Sequence, residues 1–313
     1  ISESWLGNHY GPRQILITNA ASFSGAAKEA PLKRSVGYRV TPRQIEFFAD
    51  YPEDIAFAAG WFLEREVGER WFMPGEIGRE VPRYAELALP PGEHHHEPAY
   101  FSRHLGALDS PEEKAWHGRN RLRSLFDHGH TFYRIITPEA ATSDPRMAPL
   151  INGRRFVPQP KRQNWQPDLT SPATVNLAVE KLAQELRKNP RQLTAVFGQN
   201  DSWRWDQSEA TLAVIAPHQH FRRYPDYSNT LFAFLNQVAE RLAPEFPARF
   251  ISTYSYQWTE NVPRFPVHPM VLPYLTADRS QWFDPDYAAE DMDLMRRWGQ
   301  AGPRFFGLYD YYY

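Results

Sequence analysis

The chain has 313 residues, 42% of them hydrophobic, which suffices for one large domain or for a small domain and most of a barrel. Its 35 Lys and Arg nearly balance 37 Asp and Glu, and a formal charge of -2 gives no electrostatic ground to expect nucleic acid or an anionic membrane surface. The absence of cysteine excludes disulfides, thiolate metal sites and cysteine catalysis.

Aromatic residues make up 15% of the chain, with 10 Trp and 16 Tyr. Such a set can fill a large core. It can also line a cleft whose flat faces stack on sugar rings while polar groups meet their hydroxyls. The longest apolar runs fall far short of the ~20 residues that a membrane span needs. Ile1 is not an initiator and the opening Ile-Ser-Glu-Ser-Trp is polar, so no signal peptide is visible. Gly307 to Tyr313 reads as a strand cut off at its end, so both termini are expected to be fragment boundaries.

Gln14–Thr18 and Arg43–Phe48 read as strands. Asp54 to Val67 follows a helical pattern, with Ile55, Phe57, Ala58, Trp61, Phe62 and Val67 mostly on one face and Gly68 as its stop. Pro74-Gly75 makes a turn, and the Pro-rich stretch from Val81 to Pro98 ends this small α+β unit. The expected domains are therefore 1–90 and 91–313.

Strands and helices then alternate. Tyr100–Leu105 and Thr131–Ile136 are strand-like, and between them Pro111–Phe126 is helical with Ser110 as its cap. Pro172–Lys188 is an amphipathic helix, with Ser171 as cap and Pro172 in its first turn. Gln192–Gly198, Arg249–Tyr256, Met270–Tyr274 and Arg304–Tyr309 read as strands; Tyr227–Leu242 and Tyr287–Trp298 read as helices. Alternation of this kind implies parallel pairing through right-handed crossovers. Six or seven strand–helix units can be counted, where a closed (β/α)8 barrel has eight. A doubly wound open sheet also fits the alternation, but no Gly-rich phosphate loop follows any strand.

In such a barrel, reactive groups sit at the carboxyl ends of the strands. The clearest strand end is Phe197-Gly-Gln-Asn-Asp201, followed by Trp203 and Trp205. A poorly solvated Asp201 among rings suits a general acid, and Asn200 could hydrogen-bond a sugar. As plain structure, the same two residues would cap or turn the chain. Tyr254, Tyr256 and Trp258 alternate and point one way, with Glu260 just beyond. Asp310 stands at the last strand end beside Tyr309. Asp201, Asp310 and Glu260 are thus the candidate catalytic residues. Trp165 joins the rings as a candidate sugar contact, and Arg103 and His104, at the end of the first barrel strand, could meet a hydroxyl or carboxylate. Asp278 and Arg279 fit an ordinary salt bridge. His130 either precedes a strand, at the wrong end for catalysis, or lies within a strand Gly129–Phe132 and points inward. His94-His95-His96 lacks acidic ligands at fixed spacing, so no metal and no cofactor are expected. Neither a Gly-x-Ser-x-Gly elbow nor a His-Glu-x-x-His zinc motif occurs.

Several of these segments together resemble a bacterial family catalogued as domain of unknown function 4838. The likeness is carried by Ala56 to Pro82, with its Leu-Glu, Gly, Arg-Trp-Phe, Pro-Gly-Glu and Val-Pro steps. Gly129-His-Thr-Phe132, Asn152-Gly-Arg154, Gly198-Gln-Asn-Asp201, Tyr227-Ser-Asn229, Tyr254-Ser-Tyr256 and Tyr309-Asp-Tyr311 extend it. The resemblance implies a small α/β domain before a (β/α)8 barrel, and kinship with glycoside hydrolases such as α-glucuronidases and hexosaminidases. It places the acid of those relatives on Asp201. It also implies a carbohydrate substrate and, by its polysaccharide theme alone, a secreted or periplasmic protein. The sequence departs from the pattern where Trp203 to Glu209 replaces a cysteine cluster and where Asn200 stands in place of the first acid of a pair. A carbohydrate-binding barrel that no longer cleaves is the alternative.

Overall fold

The computed structural model describes residues 14–17 and 34–311, except 101, 107–109, 157 and 161; of residues 14–17 only the backbone is described. The chain divides into two compact units, residues 1–125 and 126–313.

The first unit is a four-stranded sheet with one covering helix. Strands β1 (Gln14–Ile17), β2 (Val36–Val40), β3 (Gln44–Ala49) and β4 (Gly92–His96) lie in the order β1-β3-β2-β4. The β2–β3 hairpin turns on Thr41, whose hydroxyl accepts the Gln44 amide at 3.0 Å. Helix α1 (Ile55–Phe62) runs on through a wider turn over Leu63–Val67 and stops at Gly68, whose φ of 75° needs no Cβ. Fully buried Tyr38 packs edge-on against Trp61 and Phe62, with ring centroids 5.2 and 5.1 Å away. Its hydroxyl donates to Glu66. Asp54, also fully buried, is neutralised by Arg34 at 2.9 Å and by Arg123.

Residues 91–125 belong to this unit, not to a barrel as the expected boundary at 90 requires. The physical reason is pairing: β4 adds to the edge of β2, and the triple histidine is that strand. Its rings pack on Tyr38, Phe48 and Trp61. Among the described residues of Tyr100–Leu105 there is a single bridge, Arg103 to Arg123, in place of a strand. Helix α2 (Pro111–Arg119) starts on a reciprocal Ser110–Glu113 cap. It ends at Asn120 rather than Phe126, because Arg121 takes a left-handed φ of 57°.

The second unit is built on four parallel strands: β5 (Thr194–Val196), β6 (Phe250–Ser255), β7 (Val271–Ala277) and β8 (Gly307–Asp310). Sequence neighbours are spatial neighbours, β5-β6-β7-β8, with no reversal of order. Helices α3 (Pro172–Lys188), α4 (Ser228–Leu242) and α5 (Pro285–Gln300) supply the packing partners. Phe197, Ile251, Val271 and Leu275 face them, and Phe197 meets Phe132 and Phe234 at 4.5 and 5.5 Å between ring centroids.

The other face of this sheet carries Val196, Gly198, Ser252, Tyr254 and Tyr274. Residues 127–131 run against β5 on hydroxyl groups rather than a ladder. Thr194 Oγ1 accepts the Asp127 amide at 3.0 Å, Thr131 Oγ1 donates to the Val196 carbonyl at 2.9 Å, and Ser252 Oγ donates to the Asp127 carbonyl at 2.5 Å. The expected strand Thr131–Ile136 is instead the short helix Phe132–Ile135, because the Thr131 and Phe132 amides both turn onto the Gly198 carbonyl. A Cβ at Gly198 would lie 2.0 Å from the Gly129 carbonyl oxygen, so the close approach requires glycine there.

Candidate active site

The four strands β5 to β8 are all parallel, so their carboxyl ends share one edge of the sheet. At that edge the residues sort into three groups.

The first is a cluster of rings. His128 lies 4.5, 5.1 and 5.7 Å, centroid to centroid, from Tyr274, Tyr309 and Tyr254. His128 Nδ1 and the Tyr254 hydroxyl are 3.1 Å apart. His130 stacks 4.8 Å from Tyr254 and 6.4 Å from Tyr256. Its Nδ1 is 2.6 Å from the Gln199 carbonyl, which can only accept, so this nitrogen carries the proton and Nε2 is left for another partner. Tyr309 continues the cluster to Tyr254 at 5.6 Å and to Tyr311 at 5.3 Å. Tyr256 is pushed up to about 12 by burial, then by the charge of Asp201 and by Tyr311 and Tyr224. Burial likewise raises Tyr254 and Tyr274. These phenols stay protonated at neutral pH and act as hydrogen-bond donors.

The second group is a set of neutral amides under the loop after β5. Asn200 is 1% exposed and both ends of its amide are engaged: Oδ1 accepts the Tyr133 amide at 2.9 Å and Nδ2 donates to the Trp165 carbonyl at 2.7 Å. Gln199 donates to the Tyr256 carbonyl at 3.0 Å and accepts from Thr259 Oγ1 at 2.6 Å, which joins the loops after β5 and β6. Gln166 reads the backbone of Asn200 in both directions. Asp201, next in the chain, is exposed at the rim.

The third group is charged. Arg222 reaches Glu260 at 2.7 Å, Glu290 at 3.3 Å and Asp291 at 3.6 Å. Arg279 reaches Asp291 at 2.9 Å and Asp310 at 3.9 Å, while its backbone amide donates to Asp310 Oδ1 at 3.0 Å. Glu260 is pushed up to about 7. Burial is the largest cause, and the Asp291 and Glu290 charges add to it, together outweighing Arg222 and Arg279.

Several sequence expectations therefore change. Trp165 and Trp205 are buried in the core, Trp205 against Tyr227 at 5.1 Å, and Trp258 packs on the other side of Tyr227 at 5.4 Å. These three rings hold the fold rather than line a cleft. Asn200 is a clamp between two backbone segments, not a free sugar contact. Asp201 is not poorly solvated. Glu260 and Asp310 are each held by an arginine. Arg103 and His104 belong to the first unit, where the Arg103 guanidinium donates to the Arg121 carbonyl and His104 packs 5.6 Å from His117. What the fold does bring together is His130, Tyr254, Tyr256 and Tyr309. His128, Tyr274, Gln166 and Arg222 carry the site without having been singled out. His128 had a signal, since it sits two residues before His130 and an extended chain puts both on one face.

Among the described residues, no group of three or more His, Cys, Asp or Glu gathers as metal ligands. Among the same residues, no helix is long and apolar enough to cross a membrane.

A family model described as a domain of unknown function, DUF4838, matches residues 73–313. The chain belongs to the DUF4838 family. No curated protein matches it. The matched stretch begins at Met73 in the first unit and takes in the whole ring cluster.

Proposed function

We propose that this DUF4838 protein is a glycoside hydrolase that binds its sugar on the ring cluster and uses Asp201 as general acid. The observation that carries the reading is the juxtaposition of protonated phenols, an imidazole and an exposed carboxylate at one edge of a parallel sheet. Flat faces and hydroxyl donors suit a sugar ring, and a solvent-linked carboxylic acid suits proton delivery to a glycosidic oxygen. The unreversed strand order supports a (β/α)8 barrel of which β5 to β8 are successive strands, with residues 127–131 in the preceding position. Of the two partner carboxylates, Asp310 fits better. It closes β8 between Tyr309 and Tyr311, and the Arg279 backbone amide holds its carboxylate in place beside the ring cluster.

A second reading is a barrel that binds carbohydrate without cleaving it. The arginine contacts of Glu260 and Asp310 favour it, since both partner carboxylates already have structural work.

The test is hydrolysis of a panel of oligosaccharides, uronic-acid and N-acetylhexosamine ones included, whose leaving sugars need protonation, by wild type, Asp201→Asn and Asp310→Asn. Loss of general-acid catalysis should cost about 10²- to 10⁴-fold in kcat for Asp201→Asn. Activity that survives unchanged removes Asp201 from the reaction. A wild type that turns over nothing but binds oligosaccharides selects the second reading.

A further inference from the structure

Trp203 is 73% exposed, yet the chain around it is fixed. Gln166 Nε2 donates to the carbonyls of Asn200 at 2.7 Å and Ser202 at 2.8 Å. The Gln166 amide donates to the Arg204 carbonyl at 3.0 Å, and Arg204 Nη1 donates to the Asn164 carbonyl at 2.9 Å. The Arg204 guanidinium also lies 5.4 Å over the Phe156 ring. Trp205, two residues on, is buried against Tyr227. An exposed indole on a loose loop could fold back onto the protein. This one stands on a stem that is pinned on both sides, so its apolar face is held out to water.

A flat face held rigidly costs little further ordering when it stacks on a ligand. Trp203 also lies two residues beyond Asp201 on the same loop, and the Asp201 charge reaches Tyr256 on the next. One carboxylate is thus served by a half-buried ring with a hydroxyl and by an exposed ring that presents a broad apolar face.

We propose that Trp203 is the platform for the leaving side of the substrate, and that the substrate is an oligosaccharide or polysaccharide rather than a glycoside of a small aglycone. This rests on Asp201 being the general acid. In that reaction the bond from the anomeric carbon to the bridging oxygen breaks. Asp201 gives its proton to that oxygen, water supplies hydroxyl to the anomeric carbon, and the water's other proton passes to the partner carboxylate and through solvent restores Asp201. The departing sugar stays attached to the protonated oxygen, so it is the part of the substrate that lies nearest the Asp201 loop. A lone indole is far too small for a protein partner, whose interface takes about 800 Å² on each side. The C–H face of a single sugar ring matches it.

The experiment compares two substrates of one sugar: its oligosaccharide, and its glycosyl fluoride, whose leaving group is too small to stack and departs without protonation. The panel spans cello-, xylo-, chito- and uronic-acid oligosaccharides. For Trp203→Ala, the ratio of oligosaccharide to fluoride kcat/KM should fall about tenfold, chiefly through KM. Trp203→Phe should recover part of the loss. Phe283→Ala, which removes another exposed ring on this edge, should leave the ratio where it was. A ratio unchanged by Trp203→Ala overturns the proposal, as does an equal loss on both substrates. Asp201→Asn separates the two readings. If it retains oligosaccharide turnover, the acid assignment fails whatever Trp203 does. If it loses that turnover and Trp203→Ala does not move the ratio, only the platform fails. A wild type that cleaves no member of the panel overturns both.

Discussion

Two sets of loops at one edge of the second unit solve the same problem with different chemistry. The loop after β5 is fixed by neutral amides, with Gln166, Gln199 and Asn200 all bonded to backbone. The loops after β6 and β7 and the end of β8 are fixed by charge, through Arg222 and Arg279 on Glu260, Glu290, Asp291 and Asp310. Neutral amides hold their geometry at any pH. Charges buried together carry a desolvation cost that one protonation can change. The carboxylate read as the acid follows directly on the amide-held residues Gln199 and Asn200, so the chain beneath it is held without the charge network of the other set.

The comparison can be broken at its strongest point. Arg279 is 8% exposed on its side chain and faces two acids, so Arg279→Ala leaves Asp291 with Arg222 as its remaining cation and Asp310 with a backbone amide alone, and should cost about 3–5 kcal/mol in urea unfolding. The amide side should give less. Asn200→Ala strands the Tyr133 amide and the Trp165 carbonyl and should cost about 2–4 kcal/mol, equally at pH 5 and pH 8. A pH-dependent loss there would dissolve the distinction between the two sets.

The subtlest test is Glu260. Its folded value of about 7 lies above the ordinary carboxylate value of about 4.3, so the folded state binds the proton more tightly. The stability that this proton contributes is complete below about pH 4 and is lost as pH rises through 7. The loss should amount to roughly 3–4 kcal/mol, and Glu260→Gln should flatten that part of the stability curve. A wild-type curve that rises across this window would show that Arg222 dominates instead of burial.

What could be read beforehand follows the range of the interactions. Helix α3 was legible to the residue, because the Pro172 start and a 3.6-residue apolar period are local. Strand β6 was legible because six consecutive buried residues leave few alternatives. The fate of the tryptophans was not legible, since an indole suits a core and a sugar cleft equally. Trp165 went to one, and Trp203 stands outside. Asn200 misled because its two partners lie 67 and 35 residues away. The charged set was invisible for a like reason. Arg222 sits in a minimal hairpin, His220–Phe221 with Tyr224–Pro225, and meets Glu260 38 residues on. The triple histidine was expected to hold no metal, but its place as an edge strand was not legible, because β-pairing is decided by the partner β2.

The Gly198–Gly129 contact has a consequence for how this protein can vary. A Cβ at 198 would meet the Gly129 carbonyl oxygen, whereas a Cβ at 129 has nothing within 4 Å. The crowding is one-sided. In a saturation library selected for folded protein, position 198 should reject every replacement, alanine included, while position 129 accepts alanine. The phenotype of the first would be a shifted His130, whose Nδ1 hangs on the very next carbonyl. Evolution can therefore edit the imidazole side of this pair one methyl at a time, but can touch the strand side only by rebuilding both.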